Sequence, residues 1–230
     1  MSKTYVNLIT GYIGAGKSSV ANELRKKGHI VIDTDRLRKD VFLTDPEIRA
    51  VIFGKFGLDA IDWIGGLSQE VRDMALANYS VYTWIHDVTA KALRNHLERI
   101  LNTIDSEKYI FIEASNKFDW IYSAFANKFN YRHYKVVVSD TVEQVARVVK
   151  RYQTGNKLYT EQPCSFYHYS EEQLAENKKK LDAYEDMVWK TIELQKKIDE
   201  TIFMHDVVFL RNDEPDSIGK MVERIMEDVI

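Results

Sequence analysis

Gly11-Tyr12-Ile13-Gly14-Ala15-Gly16-Lys17-Ser18 fits the pattern G-x-x-x-x-G-K-[ST], and what flanks it decides the fold. Glycines let such a loop curl until successive backbone N–H groups face one phosphate. Lys17 supplies a mobile cation for the outer phosphates, and the Ser18 hydroxyl is a ligand for Mg²⁺. Tyr5-Val6-Asn7-Leu8-Ile9 reads as a short buried strand leading in. Ser19-Val20-Ala21-Asn22-Glu23-Leu24-Arg25 reads as an amphipathic helix leading out, with its N-terminal dipole toward the anion. A chance glycine-rich turn would not bring strand, loop, Lys-Ser and helix into one register. The expected ligand is a nucleoside triphosphate.

The rest of the chain agrees with a cofactor-sized ligand. Of its 230 residues 45% are hydrophobic and 29% charged, which suits one substantial core with room for an inserted subdomain. A net charge of −3 offers no basic field for nucleic acid. The single cysteine, Cys164, excludes an intrachain disulfide and any CxxC metal site, and no neighbouring His-Asp arrangement makes it a nucleophile. No apolar run reaches the ~18–20 residues that cross a bilayer. Met1-Ser2-Lys3-Thr4 runs straight into a core strand, so the expectation is a protein without a signal peptide, soluble and cytoplasmic.

Apolar runs alternate with helical patterns, which predicts an α/β fold with a five-stranded parallel sheet between two helical layers. The expected strands are Val6–Ile9, Ile30–Asp33, Tyr109–Glu113, Lys135–Val138 and Val207–Leu210. We expect a single domain whose core is about 1–36, 106–151 and 203–230, interrupted by a helical insertion at about 37–105. A lid and long helix occupy about 152–202. Helical insertions in that first position hold the phosphate acceptor in many kinases of this build. From Ser170 a long pattern keeps Leu174, Leu181, Tyr184, Val188, Ile192 and Ile198 on one side. Packing on the body explains it better than a dimer seam, and Lys178-Lys179-Lys180 is expected in solvent. Ser170-Glu171-Glu172-Gln173 reads as a capping box. The rings of Trp63, Tyr79, Tyr82, Trp84, Trp120, Tyr122 and Phe125 are expected mostly in the core.

Two acids, Asp33 and Asp35, close the second strand at the carboxyl edge of the sheet, where ligands of open α/β sheets bind. Phosphoryl transfer needs alignment, charge neutralisation and a base or positioner for the attacking oxygen. Either acid can instead cap the next helix, and Asp35 is the first candidate for substrate or metal contact. Arg147 and Arg151 lie four apart on one helix face and suit phosphate oxygens, with a salt-bridged surface helix as the alternative. Gln153-Thr154-Gly155-Asn156-Lys157 reads as a hinge into the lid. Glu113 ends the third strand; it either holds the metal's water shell or pairs with Lys17 or an arginine, and the residues leave both open.

The chain resembles the dephospho-coenzyme A kinase family of P-loop nucleoside and nucleotide kinases. The resemblance rests on Thr10-Gly11 through Asn22, on Ile32-Asp33-Thr34-Asp35, and on His86. It continues with Gln144, Arg147 and Arg151, then Asp206-Val207-Val208 with Asn212-Asp213. It is dense over the first 40 residues and thin from 45 to 130. The resemblance implies transfer of the ATP γ-phosphate, with Mg²⁺, to the ribose 3′-hydroxyl of dephospho-CoA. It makes Asp35 the base and Arg147 a phosphate contact. Asn212 falls in the loop that holds adenine, and His86 falls at the acceptor beside Asp33 and Asp35. Four features depart from the family: Tyr12 stands for a glycine, His86-Asp87 for His-Pro, Ala114-Ser115-Asn116-Lys117-Phe118-Asp119 for Pro-Leu-Leu-hydrophobic-Glu, and the lid with its following helix is longer than usual. A nucleoside or deoxynucleoside monophosphate kinase is the alternative. The expected partner is a small nucleotide acceptor, with neither nucleic acid nor membrane involved, for a monomer or weak homo-oligomer.

Asn116-Lys117-Phe118-Asp119 also spells a guanine-reading motif, and Asp62-Trp63-Ile64-Gly65 a D-x-x-G switch. A GTP-driven switch is the rival from another class, and a catalytically silent nucleotide-binding module is a further one. Gly57-Leu58-Asp59-Ala60-Ile61 is a poor strand to carry a switch aspartate, which argues against the first.

Overall fold

The computed structural model describes residues 5–104, 109–114, 130–158, 160–161, 169–201, 207–214 and 216–229. Met1–Thr4, residues 115–129 with the Asn116–Asp119 motif, Trp120, Tyr122 and Phe125, Cys164 and Asp206 lie outside them, as do the side chains of Tyr79 and Ile198.

All five expected strands form: β1 (Tyr5–Gly11), β2 (Ile30–Asp33), β3 (Tyr109–Glu113), β4 (Asn130–Val137) and β5 (Val207–Arg211). They pair in parallel in the order β2-β3-β1-β4-β5, with Tyr5 beside both Tyr109 and Asn130. β1 is central; its connection runs to β2 on one side while that from β3 runs to β4 on the other, so the crevice opens where β1 and β3 end.

Alternation along β1 sends residues to two cores. Val6 and Leu8 join Leu37 and Val41 of α2 (Thr34–Thr44) and Leu93, Leu97 and Leu101 of α5 (Tyr79–Thr103). Ile9 faces the other way, toward Val20 and Leu24 of α1 (Lys17–Lys26) and Met221, Val222 and Ile225 of α8 (Ser217–Val229). That makes three layers. Between α2 and α5 come α3 (Pro46–Phe56), one 3₁₀ turn (Leu58–Ala60) and α4 (Gln69–Ala77), so the insertion is helical as expected. Its own core gathers Phe42, Ile52, Val71 and Ile85. The 25 residues of α5 span roughly 37 Å, anchoring one end in that core and the other under the sheet.

Helix starts follow local chemistry. Asp45 caps α3, with Pro46 in the first turn; Asn78 caps α5; and Asp140 caps α6 (Thr141–Asn156). Ser170 and Gln173 exchange the reciprocal bonds of a capping box at α7 (Glu171–Thr201), at 2.9 and 3.2 Å. α7 lays Val188 and Ile192 on Val145 and Val148 of α6 and exposes Lys178, Lys179 and Lys180.

Three expectations need correction. Gln153–Asn156 is no hinge loop but the last turn of α6, which ends with Lys157 in the left-handed region at φ 52° and Leu158 N–H donating to the Gln153 carbonyl. Trp63 is no core residue: it is 90% exposed on a turn whose backbone is satisfied by Asp62, which accepts from Ile64 and Gly66. β4 begins at Asn130 rather than Lys135, because His133 and Lys135 are buried polar residues that break the apolar pattern.

His133 Nε2 shares a 2.5 Å hydrogen bond with the Thr10 hydroxyl, and the Lys135 ammonium lies 4.7 Å from the centre of the Tyr12 ring. Burial, with the Lys135 charge adding to it, lowers the His133 pKa to about 4. The folded pKa lies below the unfolded one, so the unfolded chain binds the extra proton between pH 6.5 and about 4. Stability is therefore full above pH 6.5 and falls as pH drops toward 4, with His133 accounting for about 3 kcal/mol. Denaturant melts across that window should show a shallower loss in His133→Asn than in wild type; equal slopes would remove the assignment.

Candidate active site

The glycine-rich run leaves β1 at Gly11 and enters α1 at Lys17, with Gly16 at the helix cap in the left-handed region (φ 102°) and no side-chain cap. The first-turn N–H groups of α1 thus have no capping side chain and face the crevice, which suits an anion. Gly14 is required for a second reason: a Cβ there would collide with Val148 of α6.

The loop is held on all sides. Gln144 Nε2 donates to the Ile13 carbonyl at 2.5 Å, and Ile13 N–H donates to Gln195 Oε1 at 3.0 Å. Asn212 Nδ2 donates to the Ala15 carbonyl at 2.8 Å. Arg147 Nη1 donates to the Asn212 carbonyl at 3.0 Å, and Glu143 steadies that arginine at 2.5 Å. Gln195 is a residue that pattern reasoning missed. The only signal was a polar side chain three residues after buried Ile192, on the same side of α7.

A cleft of about 450 Å³ lies over this loop. Its floor is Ile13, Gly14 and Gly16 to Ser19; Asp35 and Glu113 form one wall, and Arg147, Val148 and Arg151 the other, with Asn212 and Ile218 at the end. Lys17 Nζ donates to the Tyr12 carbonyl at 3.1 Å. Burial holds its pKa below the usual lysine value and Arg151 adds to that, while Glu113 and Asp35 oppose it. The Ser18 hydroxyl donates to Glu113 Oε1 at 2.5 Å. Burial pushes the Glu113 carboxyl up, Asp33 pushes it further, and Ser18, Lys17 and Arg25 pull it back.

Two oxygens of opposite character, a hydroxyl and a carboxyl whose hold on its proton burial strengthens, therefore sit together beside the loop. Among the described residues no cluster of three His, Cys, Asp or Glu side chains forms a metal cage. The pair fits Mg²⁺, which takes one or two protein oxygens and fills its shell from phosphate and water.

Asp33 does not line the cleft: its Oδ1 accepts from the N–H groups of Asp35 and Arg36 at 2.9 and 3.2 Å, making it the cap of α2. Asp35 is exposed, with Arg38 at 3.6 Å. His86 lies on the wall of a separate cavity in the insertion. The Asn212 amide is committed to the loop carbonyl. Asp62-Trp63-Ile64-Gly65, the would-be switch, sits on the exposed turn away from the cleft.

A family model described as dephospho-CoA kinase matches residues 5–188. The chain belongs to the dephospho-CoA kinase family. It is 30% identical to the dephospho-CoA kinase of Idiomarina loihiensis over 114 residues, which cover 48% of this chain and 55% of that one. It is 24% identical to that of Fusobacterium nucleatum over 222 residues, 96% of each chain. Several family relatives, the Idiomarina one among them, are matched over only about half their length. Among solved structures, TT1252 from Thermus thermophilus superposes with a TM-score of 0.60 at 17% identity over 99% of both chains, which shows a common fold. Among the described residues no helix is long and apolar enough to cross a membrane.

Proposed function

We propose that this family member is an ATP-dependent phosphotransferase whose acceptor is the ribose 3′-hydroxyl of dephospho-CoA. The observation that carries the proposal is the meeting of Lys17, Ser18, Asp35, Glu113, Arg147 and Arg151 around one cleft over the glycine-rich loop. In this reading the amides of Gly14 to Ser18 hold the β-phosphate and Lys17 follows the γ-phosphate. The acceptor oxygen bonds to the γ-phosphorus as the bond from phosphorus to the β–γ bridging oxygen breaks, and ADP leaves. Asp35 takes the hydroxyl proton. Arg147 and Arg151 meet charge from the α6 side, and Asn212 keeps the loop shaped for the nucleotide. Ser18 and Glu113 would hold Mg²⁺, which when bound neutralises charge on the phosphates. A cytoplasmic location and action as a monomer or weak homo-oligomer belong to the same reading.

The test offers ATP and Mg²⁺ with dephospho-CoA and with each ribo- and deoxynucleoside monophosphate. The expected result is stoichiometric ADP and 3′-phosphorylated dephospho-CoA. Transfer to a monophosphate alone would hand the site to the monophosphate-kinase alternative, for which Tyr12 and Asp87 speak because both depart from the family pattern. Tight GTP binding without transfer would favour the switch.

A further inference from the structure

Ile13 is gripped on both sides of its backbone. Its carbonyl accepts from Gln144 Nε2 of α6 at 2.5 Å, and its N–H donates to Gln195 Oε1 of α7 at 3.0 Å. Its side chain packs on the core those two helices share, formed by Val145, Val148, Val188 and Ile192. Gln195 lies outside the matched residues 5–188, so no role for it comes with the family.

The Ile13 N–H shares one peptide unit with the Tyr12 carbonyl. A trans peptide is planar, with its N–H and C=O pointing to opposite sides, so whatever aims one aims the other. The Tyr12 carbonyl accepts from the Lys17 ammonium at 3.1 Å. One rigid plane therefore stands between Gln195 and Lys17, bonded to α7 at one edge and to the cation at the other. Gln144 acts on the next plane, whose N–H belongs to Gly14, and does not aim this carbonyl.

The side chain that does the aiming is itself fixed. Gln195 follows buried Ile192 by three positions, and the neighbouring Lys196 Nζ donates to the Thr141 hydroxyl at the start of α6, at 3.0 Å. Lys17 carries its charge on a flexible four-carbon stem, so a fixed acceptor decides where that charge waits.

We propose that Gln195 is a positioning residue for phosphoryl transfer: through the Tyr12–Ile13 peptide it places the Lys17 ammonium for the γ-phosphate. The inference rests on the kinase reading above and deepens it.

The test is a double-mutant cycle between Gln195→Leu and Lys17→Ala, read in two ways. Leucine keeps the helix and the bulk but accepts no hydrogen bond. With Lys17 present, Gln195→Leu should lower the single-turnover rate at saturating ATP and dephospho-CoA by about tenfold, the scale of one hydrogen bond. In Lys17→Ala it should lower the rate no further, because no ammonium is left to place. A purely structural contact would cost the same in both backgrounds, by disordering the amides that both enzymes need. Calorimetric titration of a non-hydrolysable ATP analogue with Mg²⁺ repeats the cycle without any acceptor, and should show the same pattern at smaller amplitude. Gln195→Ala, which removes the same bond with less bulk, carries the cycle if leucine disturbs the packing. An unchanged rate in a folded Gln195 variant, or an equal loss in both backgrounds, overturns the link. A cycle seen in binding without transfer to any acceptor would strike the kinase reading and leave the link standing; transfer with additive losses would do the reverse.

Discussion

Lys17→Ala should lower the rate of phosphoryl transfer by about a hundredfold or more, with the protein still folded and ATP still bound. Removing one preorganised donor aimed at developing charge costs on the order of 3 kcal/mol. Lys17 is such a donor: a half-buried cation on the cleft floor whose ammonium donates to the Tyr12 carbonyl. Its pKa is held down by burial, so the folded state bears a desolvation cost that alanine removes. The fold should therefore tolerate the change, because the Gln144, Gln195 and Asn212 contacts keep the loop in place. ATP affinity should fall less than the rate, since backbone amides still hold the phosphates. Lys17→Arg should not restore turnover, because a planar fork does not replace a compact ammonium in a tight loop. Single-turnover rates with calorimetric ATP binding separate the two effects. Retained turnover in the alanine variant would take Lys17 out of the mechanism.

How such contacts were read depended on the range over which each acts. The β1–loop–α1 unit was legible because its chemistry is local: the glycines, the Lys-Ser pair and two flanking patterns lie within some twenty residues. The strand positions were legible for the same reason, save for β4, where His133 and Lys135 are buried by partners far along the chain and disguise its first half. The capping box at Ser170 was also local and correct. Long-range commitments were not visible. Gln195 reaches Ile13 across 182 positions, and no helical periodicity predicts which polar residue on a buried side meets a loop. Asn212 falls by resemblance in the loop that holds adenine, but the bond from its Nδ2 to the Ala15 carbonyl, 197 positions away, has no local signal. Gly155 drew the reading of a hinge, but nothing crowds it inside the last turn of α6, so the helix runs through it at small cost. Trp63 was assigned by hydrophobicity to a core that its turn geometry faces away from.

The two acids at the end of β2 separate under substitution. Asp35→Asn keeps the shape of the side chain but cannot accept a proton, and should lower kcat by about a hundredfold to a thousandfold, within the usual span for a general base. kcat and kcat/KM for the acceptor should fall together, while ATP affinity holds, because the contact is made in the transition state and not to the nucleotide. Stability should move by less than about 1 kcal/mol, since the pair with Arg38 is 3.6 Å long and its carboxylate is 68% exposed. Asp33→Ala behaves oppositely: it strips the cap from α2 and should cost about 1 kcal/mol of stability. That contrast identifies which oxygen works on the acceptor. Near-normal turnover in a folded, ATP-binding Asp35→Asn enzyme would assign the proton to another group, and the base would have to be sought elsewhere on the cleft wall.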